Sequence, residues 1–319
     1  MQKKSIIQYL GISLRGIGMG AADVVPGVSG GTIAFITGIY EELINSLSNI
    51  NGKAIKKLAS EGLSAFWKHI NGNFFLALFL GIGISVFSLA KLVSFLLEYY
   101  PVLLWSFFFG LVLASAWLVL RTVTNWSSST VIGLLLGVIV AGFISLLQTT
   151  SDGASLGYIF MSGAIAICAM ILPGISGAFI LVLLGSYNVV IDGIKELNFS
   201  VIAVFGAGCV IGILAFSRLL KYLFTHFKNF VLALLSGFLI GSLIKIWPWK
   251  NKIGDTPIVV HSDGKEDFMM TNVFPSEFVG DPKLGGALVM FLLGLTVVLV
   301  MGIMVPKKPA FHQKGGTNG

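Results

Sequence analysis

Pro26-Gly27-Val28-Ser29-Gly30-Gly31-Thr32 and Pro173-Gly174-Ile175-Ser176-Gly177-Ala178-Phe179 are two versions of one heptapeptide, and each interrupts a long apolar stretch. Proline and glycine break a membrane helix and leave backbone groups unpaired. Lipid tolerates such backbone only where it is buried in protein or lines a wet cavity. Each heptapeptide therefore predicts a helix pair bent at the break, over 12–48 and 157–194.

Matches extend outward from the two copies. They stand 147 positions apart, and the same offset pairs Gly38 with Gly185 and Tyr40 with Tyr187. Further on the offset becomes 127, pairing Lys91 with Arg218, Gly110 with Gly237 and Ser115 with Ser242. The difference corresponds to an extra segment, 53–70, in the first half. There Ile55, Leu58, Leu63, Phe66 and Trp67 lie among lysines, as in an amphipathic helix on the membrane surface or an ordinary loop helix.

The medium follows from composition. Only 11% of the 319 residues are charged and 55% are hydrophobic, with mean hydropathy +0.92. A soluble domain carries about a quarter charged residues, so a water-facing surface is excluded. Unbroken apolar segments at 74–97, 101–120, 131–148, 200–222, 229–247 and 284–305 read as spans. The basic start, Met1 to Lys4, is not followed by a cleavage site, so no signal peptide is expected. Cys168 and Cys209 lie in apolar runs and read as small core hydrophobes. With no Cys/His cluster, neither a metal nor a cofactor is expected.

The net charge of +7 is carried by lysines in loops, a pattern of orientation rather than of nucleic-acid binding. With both termini cytoplasmic, Lys53–Lys57, Lys68, Arg121, Lys221–Lys228 and Lys307-Lys308 all fall inside; Lys195 departs from the pattern. The loop 248–283 then lies outside and is acidic on balance, through Asp255, Asp263, Glu266, Asp267, Glu277 and Asp281. Pro257-Ile258-Val259-Val260 within it is compatible with a short extended piece or an irregular loop.

Hairpin one enters from the cytoplasm and hairpin two from outside. The expected fold is thus an all-α polytopic membrane protein with two inverted-topology repeats, each holding a Pro/Gly-broken re-entrant helical hairpin. The expected parts are a first repeat (1–120), a link with one span (121–156), a second repeat (157–247), the outer loop (248–283), and a last span with a cytoplasmic tail (284–319). Inverted repeats with broken helices near the midplane are a recurring transporter design.

The breaks suggest where chemistry resides. Helix-start N–H groups and the helix dipole favour an anion. Ser29, Thr32 and Ser176 add hydroxyls, and Gly30, Gly31 and Gly177 would let an oxyanion approach the backbone. The alternative is that these glycines serve close helix packing. Ionisable residues inside spans also need a reason. Arg15 and Asp23 lie about two helical turns apart and can share a face. Lys91 and Arg218 would flank an anion at either mouth, or snorkel to headgroups. Asp23 pairs with Arg15 or serves as a protonatable coupling group. Glu41, with Glu42, sits near the cytoplasmic end of hairpin one, where a solvated helix end is the simpler reading.

The stretch Gly18-Met19-Gly20-Ala21-Ala22-Asp23-Val24-Val25-Pro26-Gly27-Val28-Ser29-Gly30-Gly31-Thr32, followed by Gly38-Ile39-Tyr40-Glu41, resembles the signature of the bacterial polyprenyl-phosphate transporter family. Leu172-Pro173-Gly174-Ile175-Ser176-Gly177 resembles its second motif, and the similarity runs over about residues 10–305. The resemblance implies a non-enzymatic carrier that returns undecaprenyl phosphate from the outer to the inner leaflet for wall-polymer synthesis. Proton or ion coupling through Asp23 and Glu41 is a further expectation. The implied partners are the polyprenyl phosphate lipid and the bilayer of the cytoplasmic membrane; a homodimer is compatible with the pattern.

Two rivals share features with this reading. Membrane undecaprenyl-diphosphate phosphatases also have a Pro-Gly-x-Ser hairpin, but their loop continues with an arginine and a second serine. Here Gly30-Gly31 and Gly177-Ala178 follow instead. A small-anion transporter would use the same cradle.

Overall fold

The computed structural model of the protein describes residues 4–23, 29–146, 155–260 and 266–304. The first half contains helices α1 (Ile6–Asp23), α2 (Gly30–Ile36), α3 (Tyr40–Ser48), α4 (Gly52–Glu61), α5 (Leu63–His69), α6 (Gly72–Tyr99), α7 (Pro101–Leu120) and α8 (Ser128–Leu146). The second contains α9 (Leu156–Ile171), α10 (Gly177–Leu183), α11 (Tyr187–Lys195), α12 (Phe199–His226), α13 (Lys228–Ser242), strands β1 (Lys250–Val260) and β2 (Glu266–Asn272), and α14 (Leu284–Met304). The Pro26-Gly27-Val28 tip, Ser151-Asp152, Asp263 and Lys307-Lys308 lie outside the described residues.

The protein is helical and polytopic. Among the described residues four helices, α6, α7, α8 and α12, are long and apolar enough to cross a membrane, and a fifth span is reached if α10 and α11 are counted together. Those two are bent by 109° at their break. The expected span 229–247 is corrected: α13 ends at Ser242 after 15 residues, about 22 Å. Pro248 lacks an N–H and disfavours helix in the residue before it, so the chain turns before β1. The 248–283 segment contains extended structure, because β1 and β2 pair antiparallel from Lys250↔Asn272 to Val260↔Glu266. The 53–70 segment is two helices, α4 and α5, separated at Gly62, whose φ is 80°. Ile55, Leu58, Leu63 and Trp67 are exposed on them.

Local chemistry explains the starts. Ser29, Asn51, Ser155, Ser176 and Asn198 cap α2, α4, α9, α10 and α12 through side-chain oxygens, each satisfying an otherwise orphaned N–H. Gly38 and Gly185 follow α2 and α10 with φ of 74° and 63°, a conformation that glycine adopts without strain.

The element order of the first half recurs in the second. The ranges of α2, α3 and α6 map onto α10, α11 and α12 at the offsets 147 and 127. The helix contacts recur as well. A Cβ on Gly81 would strike the Ser13 carbonyl, and one on Gly208 would strike the Phe160 carbonyl. Gly16 faces the Leu78 carbonyl as Gly163 faces that of Phe205. Gly110 of α7 meets the Phe291 carbonyl of α14, while Gly237 of α13 meets the Leu134 carbonyl of α8. Gly137 and Gly294 complete the pattern against Leu234 and Phe107. Backbone approach at small residues drives helix association where the surroundings are as apolar as the side chains. Thus α1 packs on α6 as α9 packs on α12, and α8 and α14 each pack on the opposite half. The core between the halves includes the fully buried Phe74, Leu78, Phe224, Leu235 and Leu239.

The most extensive contact that does not recur joins the two halves. α3 lies against α12: the Tyr40 and Phe224 rings are 6.0 Å apart, and Arg218 Nη2 donates to the Ile50 carbonyl at 3.1 Å. α11 has no comparable packing against α6. Its buried Val190 clusters instead with Ile159 and Val201 of its own half. Tyr40 is 2% exposed, and its hydroxyl has no hydrogen-bond partner among the described residues.

Candidate functional site

The start of α2 meets the break between α9 and α10. Ser29, 1% exposed, donates its hydroxyl to the Met170 carbonyl at 3.0 Å and accepts from the Gly31 amide at 3.1 Å. Thr32, fully buried, accepts from the Gly174 amide through Oγ1 at 3.0 Å. Gly174 has φ 84°, and a Cβ there would meet the Phe238 carbonyl and the Ser242 hydroxyl of α13. A Cβ on Gly31 would lie 2.6 Å from the Ile171 carbonyl. The start of α2 is thereby pressed into the break of hairpin two.

The first amide of α2 has an anion already. Gly30 N donates to Asp23 Oδ1 at 2.6 Å. Of the two alternatives for Asp23, the pair with Arg15 is not formed here: the carboxylate turns toward α2, and Arg15 makes no ion pair among the described residues. In hairpin two, Met170 occupies the position corresponding to Asp23. Ser176 caps Phe179 N at 3.4 Å, and a Cβ on Gly177 would lie 2.7 Å from the Ala166 carbonyl. In this arrangement Gly31, Gly174 and Gly177 lie against neighbouring backbone, and the hydroxyls of Ser29 and Thr32 join the two hairpins.

The other sequence-predicted residues lie apart from the tips. Arg218 is bound to Ile50 at the far end of hairpin one. Glu41 Oε1 is 4.0 Å from Lys228 Nζ, and Glu42 pairs with Lys4 and accepts from Asn71. Lys91 is exposed on α6.

Two cations beside the tips were not singled out by the sequence. Lys245 follows Ser242, the residue against Gly174, and its Nζ stands 3.9 Å over the Phe179 ring of α10. Lys250 Nζ donates to the Lys245 carbonyl and stands 4.4 Å over Trp105 of α7. The available signal was a pair of lysines flanking Trp247-Pro248-Trp249 directly after an apolar segment.

Comparison with known proteins converges on one family. The model of a family described as undecaprenyl phosphate translocase-like matches residues 19–262. A Vibrio cholerae protein named polyprenyl-phosphate transporter is 43% identical over 301 residues, covering 93% of this chain and 96% of its own. A Staphylococcus aureus protein of the same name is 32% identical over 254 residues, covering 74% of this chain and 85% of its own. These names are those of transporters rather than enzymes. No solved structure matches the chain. A family match across most of the length, with a relative of this identity spanning nearly all of it, leaves one conclusion: the chain belongs to the undecaprenyl phosphate translocase-like family.

Proposed function

We propose that the chain carries polyprenyl phosphate, as undecaprenyl phosphate, from the outer to the inner leaflet of the bacterial cytoplasmic membrane for reuse in wall-polymer synthesis. The observation that carries this reading is the recurrent fold with its unmatched α3–α12 contact. With the lysine-rich ends cytoplasmic, the halves are inverted. The α3–α12 contact then closes the cytoplasmic side, and the outer side, where α11 would meet α6, is open. Exchanging which pair is closed is alternating access, the working principle of inverted-repeat carriers. α8 and α14, equivalent at an offset of 157, each complete one half across the interface.

In this reading the lipid phosphate is received at the hairpin tips while its tail stays in the bilayer. Ser176 and Gly177 meet it from one side. Ser29, Gly30, Gly31 and Thr32 meet it once the Asp23 carboxylate leaves the Gly30 amide. Carboxylate and phosphate compete for the same N–H, so protonating Asp23 would release that donor. Arg218 and Lys91 act as equivalent latches, Arg218 to Ile50 in this state and Lys91 to Leu197 in the other.

The test is uptake in proteoliposomes with a labelled polyprenyl phosphate. Transbilayer movement of the phosphorylated lipid, with none of the polyprenol, supports the reading. Equal movement of both, or movement of inorganic phosphate alone, overturns it in favour of another carrier. Asp23→Asn, which cannot ionise, should flatten the pH dependence of the rate; an unchanged profile removes Asp23 from coupling.

A further inference from the structure

We propose that Lys245 and Lys250, with Trp105 and Phe179, form the outer capture site for the phosphate monoester of the lipid. This rests on the polyprenyl-phosphate reading and adds the group that first engages the headgroup.

Three observations meet at this place. The two ammonium groups come from one short stretch, Lys245 between α13 and β1 and Lys250 at the first residue of β1, and the Lys250 ammonium is tied to the Lys245 carbonyl. Aromatic faces of two other elements hold them, Phe179 at 3.9 Å and Trp105 at 4.4 Å. The segment is itself fixed: Trp247 Nε1 donates to the Val273 carbonyl at 2.9 Å, and Trp249 Nε1 donates to the Pro282 carbonyl at 3.0 Å. Among the described residues Lys250 forms no ion pair. Placing like charges together on low-dielectric faces is costly, and an anion reverses that cost. A phosphate monoester carries about −1.5 to −2 charges and three acceptor oxygens at neutral pH, enough for both lysines. Phe179 belongs to α10 and Ser242 touches the Gly174 break, so the captured headgroup would stand beside the hairpin tips on the side where α11 is away from α6. The positions equivalent to Lys245 and Lys250 in the first half are Leu118 and Val123, so the site exists on one side only. An uptake carrier needs that asymmetry.

Burial and the neighbouring Lys245 ammonium lower the Lys250 pKa to about 7. The charged group facing it is Lys245; α7 presents Trp105 and hairpin two presents Phe179, neither ionisable near neutrality. Part of Lys250 is then a neutral amine at pH 8. An anion favours the charged form, so binding above pH 7 takes up a proton.

The experiment is amine acylation of the purified full chain at pH 8, with Lys250 labelling read by mass spectrometry. Polyprenyl phosphate should slow Lys250 labelling at least tenfold, and polyprenol should not. Labelling unaffected by the lipid phosphate, or slowed as much by polyprenol, overturns the site. Protection by inorganic phosphate at the same concentration reassigns it to free anion. In parallel, Lys245→Gln and Lys250→Gln should each weaken lipid-phosphate binding about tenfold or more, while Lys250→Arg retains affinity and loses the decline between pH 6.5 and 8.5. Wild-type binding with both glutamine variants unchanged sinks this inference alone. Failure of the wild type to bind the lipid sinks the transport reading.

Discussion

Bridging position 50 to position 218 should stop transport, and cleaving the bridge should restore it. The background is Cys168→Ala with Cys209→Ala, and the pair is Ile50→Cys with Arg218→Cys. Arg218 reaches the Ile50 carbonyl through its whole side chain, so the two backbones stand too far apart for a direct disulfide. A reducible bifunctional thiol reagent of about 10 Å, the reach of an arginine side chain on its backbone partner, spans them. If α3 on α12 is the closed cytoplasmic gate, complete bridging leaves background uptake, a loss of at least tenfold. The equivalent pair at the other side is Lys91→Cys with Leu197→Cys, at offsets 127 and 147. It should bridge poorly in the state described here and readily during turnover. Full bridging at 50–218 with normal uptake would falsify the gate.

The second large effect concerns folding. Gly237→Leu should remove the monodisperse, folded protein. Its Cβ would strike the Leu134 carbonyl and lie 2.9 Å from the Gly137 Cα. Both are backbone, so no rotamer change relieves the clash and α8 must separate from α13. Overpacking a core costs about 1–3 kcal/mol where side chains can yield, and here only a helix can. Gly110→Leu at α7–α14 should behave alike, because Phe291 presents its carbonyl in the same way. Gly206→Leu is the control, since nothing lies within 4 Å of that position. Size-exclusion profiles and thermal unfolding in detergent report all three. A stable, monodisperse Gly237→Leu protein would show that this contact is not made.

The same glycines explain what could be read without coordinates. Gly110 and Gly237 stood out as a matched pair because a position where two backbones touch admits one residue type. The break between α9 and α10 was legible for a related reason: Pro173 lacks an N–H and Gly174 takes a φ of 84°, so the helix stops there. The equivalence of α8 with α14 was not legible. The β1–β2 insertion moves the offset to 157, and Gly137 with Gly294 is the matched pair that keeps a structural duty. Asp23 was recognised as a carboxylate needing a partner, yet spacing suggested Arg15. Its amide partner at Gly30 becomes adjacent only when the chain turns back on itself. Lys245 resembled any lysine at the end of a span. Its place is set by Phe179, 66 positions earlier, and no local pattern encodes that distance. The five-residue extension of span 229–247 past the true helix end came from hydrophobicity alone, which does not register Pro248.

The Tyr40 hydroxyl, buried beside Phe224 with no partner among the described residues, has a thermodynamic meaning. An unmade hydrogen bond in an apolar interior costs about 1–3 kcal/mol. If α3 on α12 is a shut gate, that arrangement carries a built-in debit, and relieving it would shift the balance between shut and open by a factor of about 5–150. A carrier whose gate rested at its deepest minimum would hold its cargo on one side of the bilayer. If the α3–α12 contact is such a gate, a penalty paid while α3 is seated would keep the two arrangements close in free energy, and the side chain that fills the gate would make it easy to leave.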